Sequence, residues 1–305
     1  MTVFVVNPRA AQGAAGARWA SMEARLRRLG LSGEVRFTDG PGHARTLAAQ
    51  ALEEGARRIV AVGGDGTVNE VVNGFFVDGR PIAPEAALGI LPAGTGGDLI
   101  RTLGIPRDPL KAAELLLSGR ERRLDVGLAE LVDDAGQRKA RHFVNIAEAG
   151  LGGAVVDRIN RGSKALGGFL TFLGGTLHAF ATYRPTTMRI TFDDAREVLE
   201  GRCWNVVVGN GRYFGGGMRV LPGAHPDDGL LDVMVVGDLP RAALFANVVA
   251  IYRGTHLDQP GVTWCRARKV RVECAEAQPI DLDGESARST DAHFSILPGV
   301  LRLCV

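Results

Sequence analysis

The sequence is short of the features that mark several large functional classes. Its four cysteines, Cys203, Cys265, Cys274 and Cys304, are scattered through strand-like runs without C-x-x-C spacing. That excludes a disulfide framework and fits a reduced, cytoplasmic setting. The six histidines show no H-x-x-x-H or related metal spacing, so no zinc-enzyme pattern is present. Charge of one sign is also missing. With 36 Lys and Arg against 34 Asp and Glu, the net charge of +2 is too small for a chain that wraps nucleic acid. The three short basic clusters (Arg25, Arg27, Arg28; Arg120, Arg122, Arg123; Arg266, Arg268, Lys269, Arg271) read as solvated faces. Contact with anionic lipid headgroups is their alternative use.

Long apolar runs are equally scarce. The best, Ala165 to Thr182, is at the bottom of the spanning range and carries four glycines and His178, so it is not read as a membrane helix. The start, Met1 to Pro8, lacks a basic region and an apolar core before a small-residue cleavage site, and reads as a first strand. The expected chain is cytoplasmic and at most peripheral to a membrane. The motifs G-x-x-x-x-G-K-[ST], G-x-G-x-x-G and G-x-S-x-G are absent, which argues against a P-loop ATPase, a simple dinucleotide fingerprint and an α/β-hydrolase.

What is there is ordinary globular material, 46% apolar and 23% charged over 305 residues, long enough for two domains. In the first third, short β-like runs at Val3–Val6, Glu34–Phe37, Ile59–Val62 and Leu88–Leu91 alternate with segments of helical period. Trp19, Met22, Leu26 and Leu29 make one helical stripe and Leu47, Ala48, Ala51 and Leu52 another. Strand, helix, strand in this order implies a mostly parallel sheet covered on both faces. After Leu124 the texture becomes mainly β, with runs at Phe143–Ala147, Met188–Phe192, Trp204–Val208, Leu231–Val236 and Val270–Glu273. Helices are expected within Gly167–Thr182 and at Arg241–Arg253. The boundary falls near Arg123–Asp125, giving domains 1–124 and 125–305, with a final segment that can return to the first.

The strongest local signal is Val62-Gly63-Gly64-Asp65-Gly66-Thr67-Val68-Asn69. A buried strand runs into glycines that permit close backbone approach, and a helix is expected from Thr67, so N–H groups and the helix dipole converge where an anion belongs. Thr67 with Glu70 also matches a capping box, which would need no ligand; capping does not explain three glycines and an aspartate. Asp65 is placed to organise metal and water around a transferred phosphate. A second loop, Pro92-Ala93-Gly94-Thr95-Gly96-Gly97-Asp98, again separates a strand from a helical run, and two such turns at one end of a parallel sheet form a ligand crevice. Asp228-Gly229 and Asp283-Gly284-Glu285 read by themselves as turns.

Taken in order, Asn7-Pro8 with its small-residue loop, Gly63–Asn69, Pro92–Asp98, Asp228-Gly229-Leu230 and Asp283-Gly284-Glu285 resemble the bacterial diacylglycerol kinase-type lipid kinases, within a superfamily that includes the NAD kinases. The resemblance implies a doubly wound α/β nucleotide-binding domain followed by a β-rich, sandwich-like domain. It further implies ATP and Mg2+ as cofactors and a lipid acceptor met at the membrane surface, in a cleft between the domains. On this resemblance Asn7, Pro8, Arg9, Ala10, Ala11, Thr38, Gly63, Gly64, Asp65, Gly66, Thr67, Val68, Asn69 and Thr95 contact the nucleotide. His225, Asp228 and Leu230 hold a structural Mg2+, Asp228 through its carboxylate and the others through carbonyls. Glu285, with Asp283 beside it, accepts the proton of the lipid hydroxyl, and two carboxylates so close push one pKa upward. Gly167-Gly168-Phe169-Leu170-Thr171-Phe172-Leu173 resembles the apolar segment flanking the cleft, although the run itself reads first as a core helix. The chain departs from the family at Gly97, where Asn is usual, losing a hydrogen-bonding side chain from the nucleotide crevice. An NAD kinase-like enzyme and a catalytically inactive lipid- or nucleotide-binding homologue are the rival readings, and a homodimer is among the possible assemblies.

Overall fold

The computed structural model describes residues 1–133, 136–161, 168–194, 197–246 and 248–305; the side chains of 161, 168–173, 245 and 246 lie outside that description. Two compact units emerge, the first from Met1–Val126, Pro226–Asp228 and Leu297–Val305, the second from Gly127–His225 and Gly229–Ile296.

The first unit is built as the alternation of its sequence dictates. Strands β1 (Thr2–Val6), β2 (Glu34–Phe37), β3 (Arg58–Gly63) and β6 (Ala87–Pro92) lie in the order β2-β1-β3-β6, all parallel. Val3, Val5, Val6, Ile59, Val60 and Ala61 are fully buried, as expected for strands covered on both faces. Helices α1 (Ala14–Arg28), α2 (His43–Glu53), α3 (Asp65–Asn73), α4 (Asp98–Leu103) and α5 (Pro109–Leu117) separate or follow them, and a two-residue pair, β4 (Phe76–Val77) with β5 (Arg80–Pro81), sits between α3 and β6. The α1 stripe is only partly inward: Trp19 and Leu26 are buried, whereas Leu29 is 45% exposed because it follows the last helical residue.

In the second unit antiparallel strands dominate. The ladder runs β13 (Val262–Ala267), β12 (Leu231–Gly237), β11 (Glu197–Gly209), β10 (Thr186–Phe192), β14 (Lys269–Leu282) and β15 (Glu285–Cys304), whose last residues belong to the first unit. β9 (Ile146–Gly150) pairs with both β11 and β14, and β8 (Arg138–Phe143) with β7 (Glu121–Val132). Alternation puts Ala147, Ala149, Val206, Val208, Ile280 and Leu282 into one apolar core, where Phe143 meets Phe294 edge to face at 6.2 Å.

Three expectations change. The run Phe143–Ala147 is two strands, broken at Val144 and Asn145, because the N–H groups of Val144, Asn145 and Ile146 turn to the Asp283 carboxylate. The helix expected at Arg241–Arg253 is two, α8 (Arg241–Ala246) and α9 (Val248–Arg253). An unexpected helix, α6 (Leu151–Arg161), follows β9 and precedes α7 (Gly168–Thr182). The apolar segment Gly167–Leu173 lies outside the residues whose side chains are described. Among the described residues no helix is long and apolar enough to cross a membrane.

Candidate active site

In the strand order β2-β1-β3-β6 the chain leaves β1 toward one side and returns on the other, so the switch point lies between the carboxyl ends of β1 and β3. Asn7 follows β1 and Gly63 ends β3. Asn7 Nδ2 donates to Thr67 Oγ1 at 3.0 Å, and Asn7 Oδ1 accepts from the Arg9 N–H at 3.0 Å. Pro8 fixes the next turn by accepting from the Gly16 N–H, and Ala10–Gly13 form a 3-10 turn in which Ala11 has φ 50°. Thr38, at the end of β2, is buried and donates its N–H to Val6. The Asn7 side chain thus ties the end of β1 to the loop that follows β3.

That loop differs from its sequence reading in one respect. Helix α3 starts at Asp65, with Gly64 as its N-cap and no side-chain cap. The capping box is not formed: Thr67 is buried with its hydroxyl held by Asn7, and Glu70 Oε2 instead accepts from the Ala44 N–H of α2 at 3.1 Å. Among the described residues no protein acceptor meets the N–H groups of Asp65, Gly66 or Thr67. A Cβ at Gly66 would touch nothing within 4 Å, and the positive end of α3 lies at this turn. Val68 and Asn69 are buried one turn further in.

The two glycine loops are tied together. The Ala93 N–H donates to Gly63 at 2.9 Å, and a Cβ on Gly94 would lie 2.5 Å from Gly64 Cα. Asp65 Oδ2 accepts from the N–H groups of Gly97 at 3.0 Å and Asp98 at 3.1 Å, so it caps α4. Gly97 has φ 154°, a conformation L side chains rarely adopt. Burial raises the Asp65 carboxyl pKa; the Asp98 N–H opposes the shift and the Asp98 charge adds to it. Thr95 is exposed in the same loop.

In the second unit, Asp283 has φ 52° and opens the turn between β14 and β15. Its carboxylate accepts from the N–H groups of Val144 at 2.7 Å, Asn145 at 3.1 Å and Ile146 at 2.8 Å. So engaged, it anchors the turn. The Glu285 side chain is 41% exposed and pairs with Arg141. Gly284 is held from both sides, its N–H by Asp281 Oδ1 at 2.7 Å and its carbonyl by Asn160 Nδ2 at 3.1 Å. Two further carboxyls lie behind the turn. Asp281 and Glu148 are both buried, and burial is the first cause raising each carboxyl, Glu148 to about 7. Neither was singled out in the sequence. The available signal was an acid inside an apolar strand, Ile280-Asp281-Leu282 and Ala147-Glu148-Ala149.

For a divalent cation the donor chemistry is restricted. The His225 Nδ1 lies 3.3 Å from Arg212 Nη2. Among the described residues no three His, Cys, Asp or Glu side chains form a group able to hold a metal. Carboxylate and main-chain oxygens, the donors expected of Asp228, His225 and Leu230, are the chemistry of a hard ion of the Mg2+ type.

Comparison with known proteins identifies the family. Residues 1–129 match the diacylglycerol kinase catalytic domain, and residues 145–305 the YegS C-terminal NAD kinase beta sandwich-like domain. A Mycobacterium tuberculosis protein named diacylglycerol kinase is 31% identical over 301 residues, 98% of this chain and 93% of that one. A Chromohalobacter salexigens protein named "Probable lipid kinase YegS-like" is 33% identical over 280 residues, 92% and 86% of the two chains. A Bacillus anthracis crystal structure, described as that of a candidate diacylglycerol kinase, superposes with TM-score 0.78 at 27% identity, covering 99% of this chain and 94% of the other. The chain belongs to the bacterial diacylglycerol kinase-like lipid kinases.

Proposed function

We propose that this lipid kinase transfers the γ-phosphoryl group of ATP to a hydroxyl of a lipid such as diacylglycerol, in phospholipid metabolism at the membrane surface. One observation carries the nucleotide half: the N–H groups of Asp65, Gly66 and Thr67 meet no protein acceptor at the start of α3, beside the β1/β3 switch point. Polyphosphate is the anion such a helix end accepts. Asn7, Pro8, Arg9, Ala10, Ala11, Thr38, Gly63 to Asn69 and Thr95 are the proposed nucleotide-contacting set, Val68 and Asn69 acting from inside α3.

Glu285 is the proposed base for the acceptor hydroxyl. Its solvent access supports this, because a base must reach the substrate, whereas Asp283 is engaged by three backbone donors. Asp65 orients the second glycine loop and, by its remaining oxygen, water or metal near the phosphates. Mg2+ brought with ATP would neutralise charge on the transferring group. Asp228, with the carbonyls of His225 and Leu230, is the proposed structural cation set. The test is transfer of radiolabel from ATP to lipid extracts, with NAD as the competing acceptor. Label appearing in phosphorylated lipid, and not in NAD, is expected; label in NAD alone overturns the reading.

A further inference from the structure

Within the second unit, the strand face opposite the apolar core carries a row of polar residues. β9 lies between β11 and β14, and Glu148 stands directly across from Asp281 in the ladder. Glu148 is 1% and Asp281 4% exposed. Asn205, diagonal to Glu148 on β11, donates from Nδ2 to Glu148 Oε1 at 2.7 Å and accepts at Oδ1 from the Gly152 N–H of α6 at 3.1 Å. α6 closes over this row: a Cβ at Gly152 would fall 2.3 Å from the Glu148 carboxyl carbon. Glu148 Oε2 is buried with no hydrogen-bond partner among the described residues. On the other side, Asp281 Oδ1 holds the Gly284 N–H at 2.7 Å.

Two carboxylates cannot both stay ionised in such a place, because like charges directly opposite in a ladder repel and both groups are buried. We infer that Glu148 and Asp281 form a positioning pair that holds a shared proton and so sets the Asp283–Glu285 turn for phosphoryl transfer, an inference that rests on Glu285 being the base. The row then runs from α6 through Asn205, Glu148 and Asp281 to the Gly284 N–H. Losing the proton places two charges behind the turn and pushes Asp281 off that N–H. The charged groups bearing on Asp281 are Glu148, Asp283 and Glu285, while burial and the neutral Asn205 act on Glu148.

The pair predicts a hidden titration. Burial lifts the Glu148 carboxyl from 4.5 to about 7, so the folded state binds a proton that the unfolded state releases. Its contribution to stability is complete at pH below the unfolded value and is lost as pH rises toward the folded one. The experiment compares the full chain with Glu148→Gln, Glu148→Ala and Glu285→Gln, recording urea midpoints across pH together with kcat and KM for ATP. Glu148→Gln offers an amide N–H where the shared proton would sit. The wild-type urea midpoint should fall as pH rises from 4.5 to about 7, and Glu148→Gln should flatten that fall. Wild-type kcat should decline above neutrality and that of Glu148→Gln should not. Glu148→Ala should lose kcat about tenfold with KM unchanged. Identical urea titrations of wild type and Glu148→Gln, or full kcat in Glu148→Ala, overturn the pair. Full turnover in Glu285→Gln instead overturns the base assignment and with it the catalytic meaning of the pair, while the urea titration continues to read the proton alone.

Discussion

At the scale of single residues, the carboxylates of this kinase divide by what surrounds them. Asp65 is pushed upward chiefly by burial, so its ionised form costs stability at neutral pH, and the stability it contributes when protonated is lost as pH rises. Asp65→Asn keeps an acceptor for the Gly97 and Asp98 N–H groups. It should therefore fold at least as stably at pH 7 to 8 by urea denaturation, while turnover falls roughly a hundredfold. Asp283 is the opposite case. Removing its carboxylate strands the N–H groups of Val144, Asn145 and Ile146, and Asp283→Ala should cost about 2–4 kcal/mol by the same measurement. Asp283→Asn, which tolerates the positive φ, should cost less.

At the scale of elements, the candidate nucleotide site depends on loops packed backbone to backbone. A Cβ at Gly94 would lie 2.8 Å from the Gly64 nitrogen, so Gly94→Ala should force the loops apart and raise KM for ATP more than tenfold, as steady-state kinetics would read. Glu70 ties α3 to the first turn of α2 through Ala44, and Glu70→Ala should destabilise by about 1 kcal/mol, the usual worth of one helix-start bond. This tie also shows where sequence reasoning stops. The strands of the first unit and the loop at Gly63 were legible because hydrophobic period and glycine are local signals. The Thr67–Glu70 spacing was equally local, but the capping box it offered does not form, since Asn7 and Ala44, distant in sequence, claim those two side chains. The break at Val144–Asn145 was hidden for the same reason, its donors answering Asp283 about 140 residues away.

At the scale of the whole molecule, the order of motifs along the chain carried more than any motif did. Asp283-Gly284-Glu285 alone is an ordinary strand turn; placed after two glycine loops and a β-rich stretch it marked a lipid kinase, which the family matches bear out. Order could not reveal Glu148 and Asp281, because their meaning lies in strand register across 133 residues of chain. The most direct test of the central claim is phosphoryl transfer from radiolabelled ATP to diacylglycerol in mixed micelles by wild type, Asp65→Asn and Glu285→Gln. Label should reach the lipid with wild type and drop by two orders of magnitude or so in both variants. Equal labelling by all three proteins would contradict it.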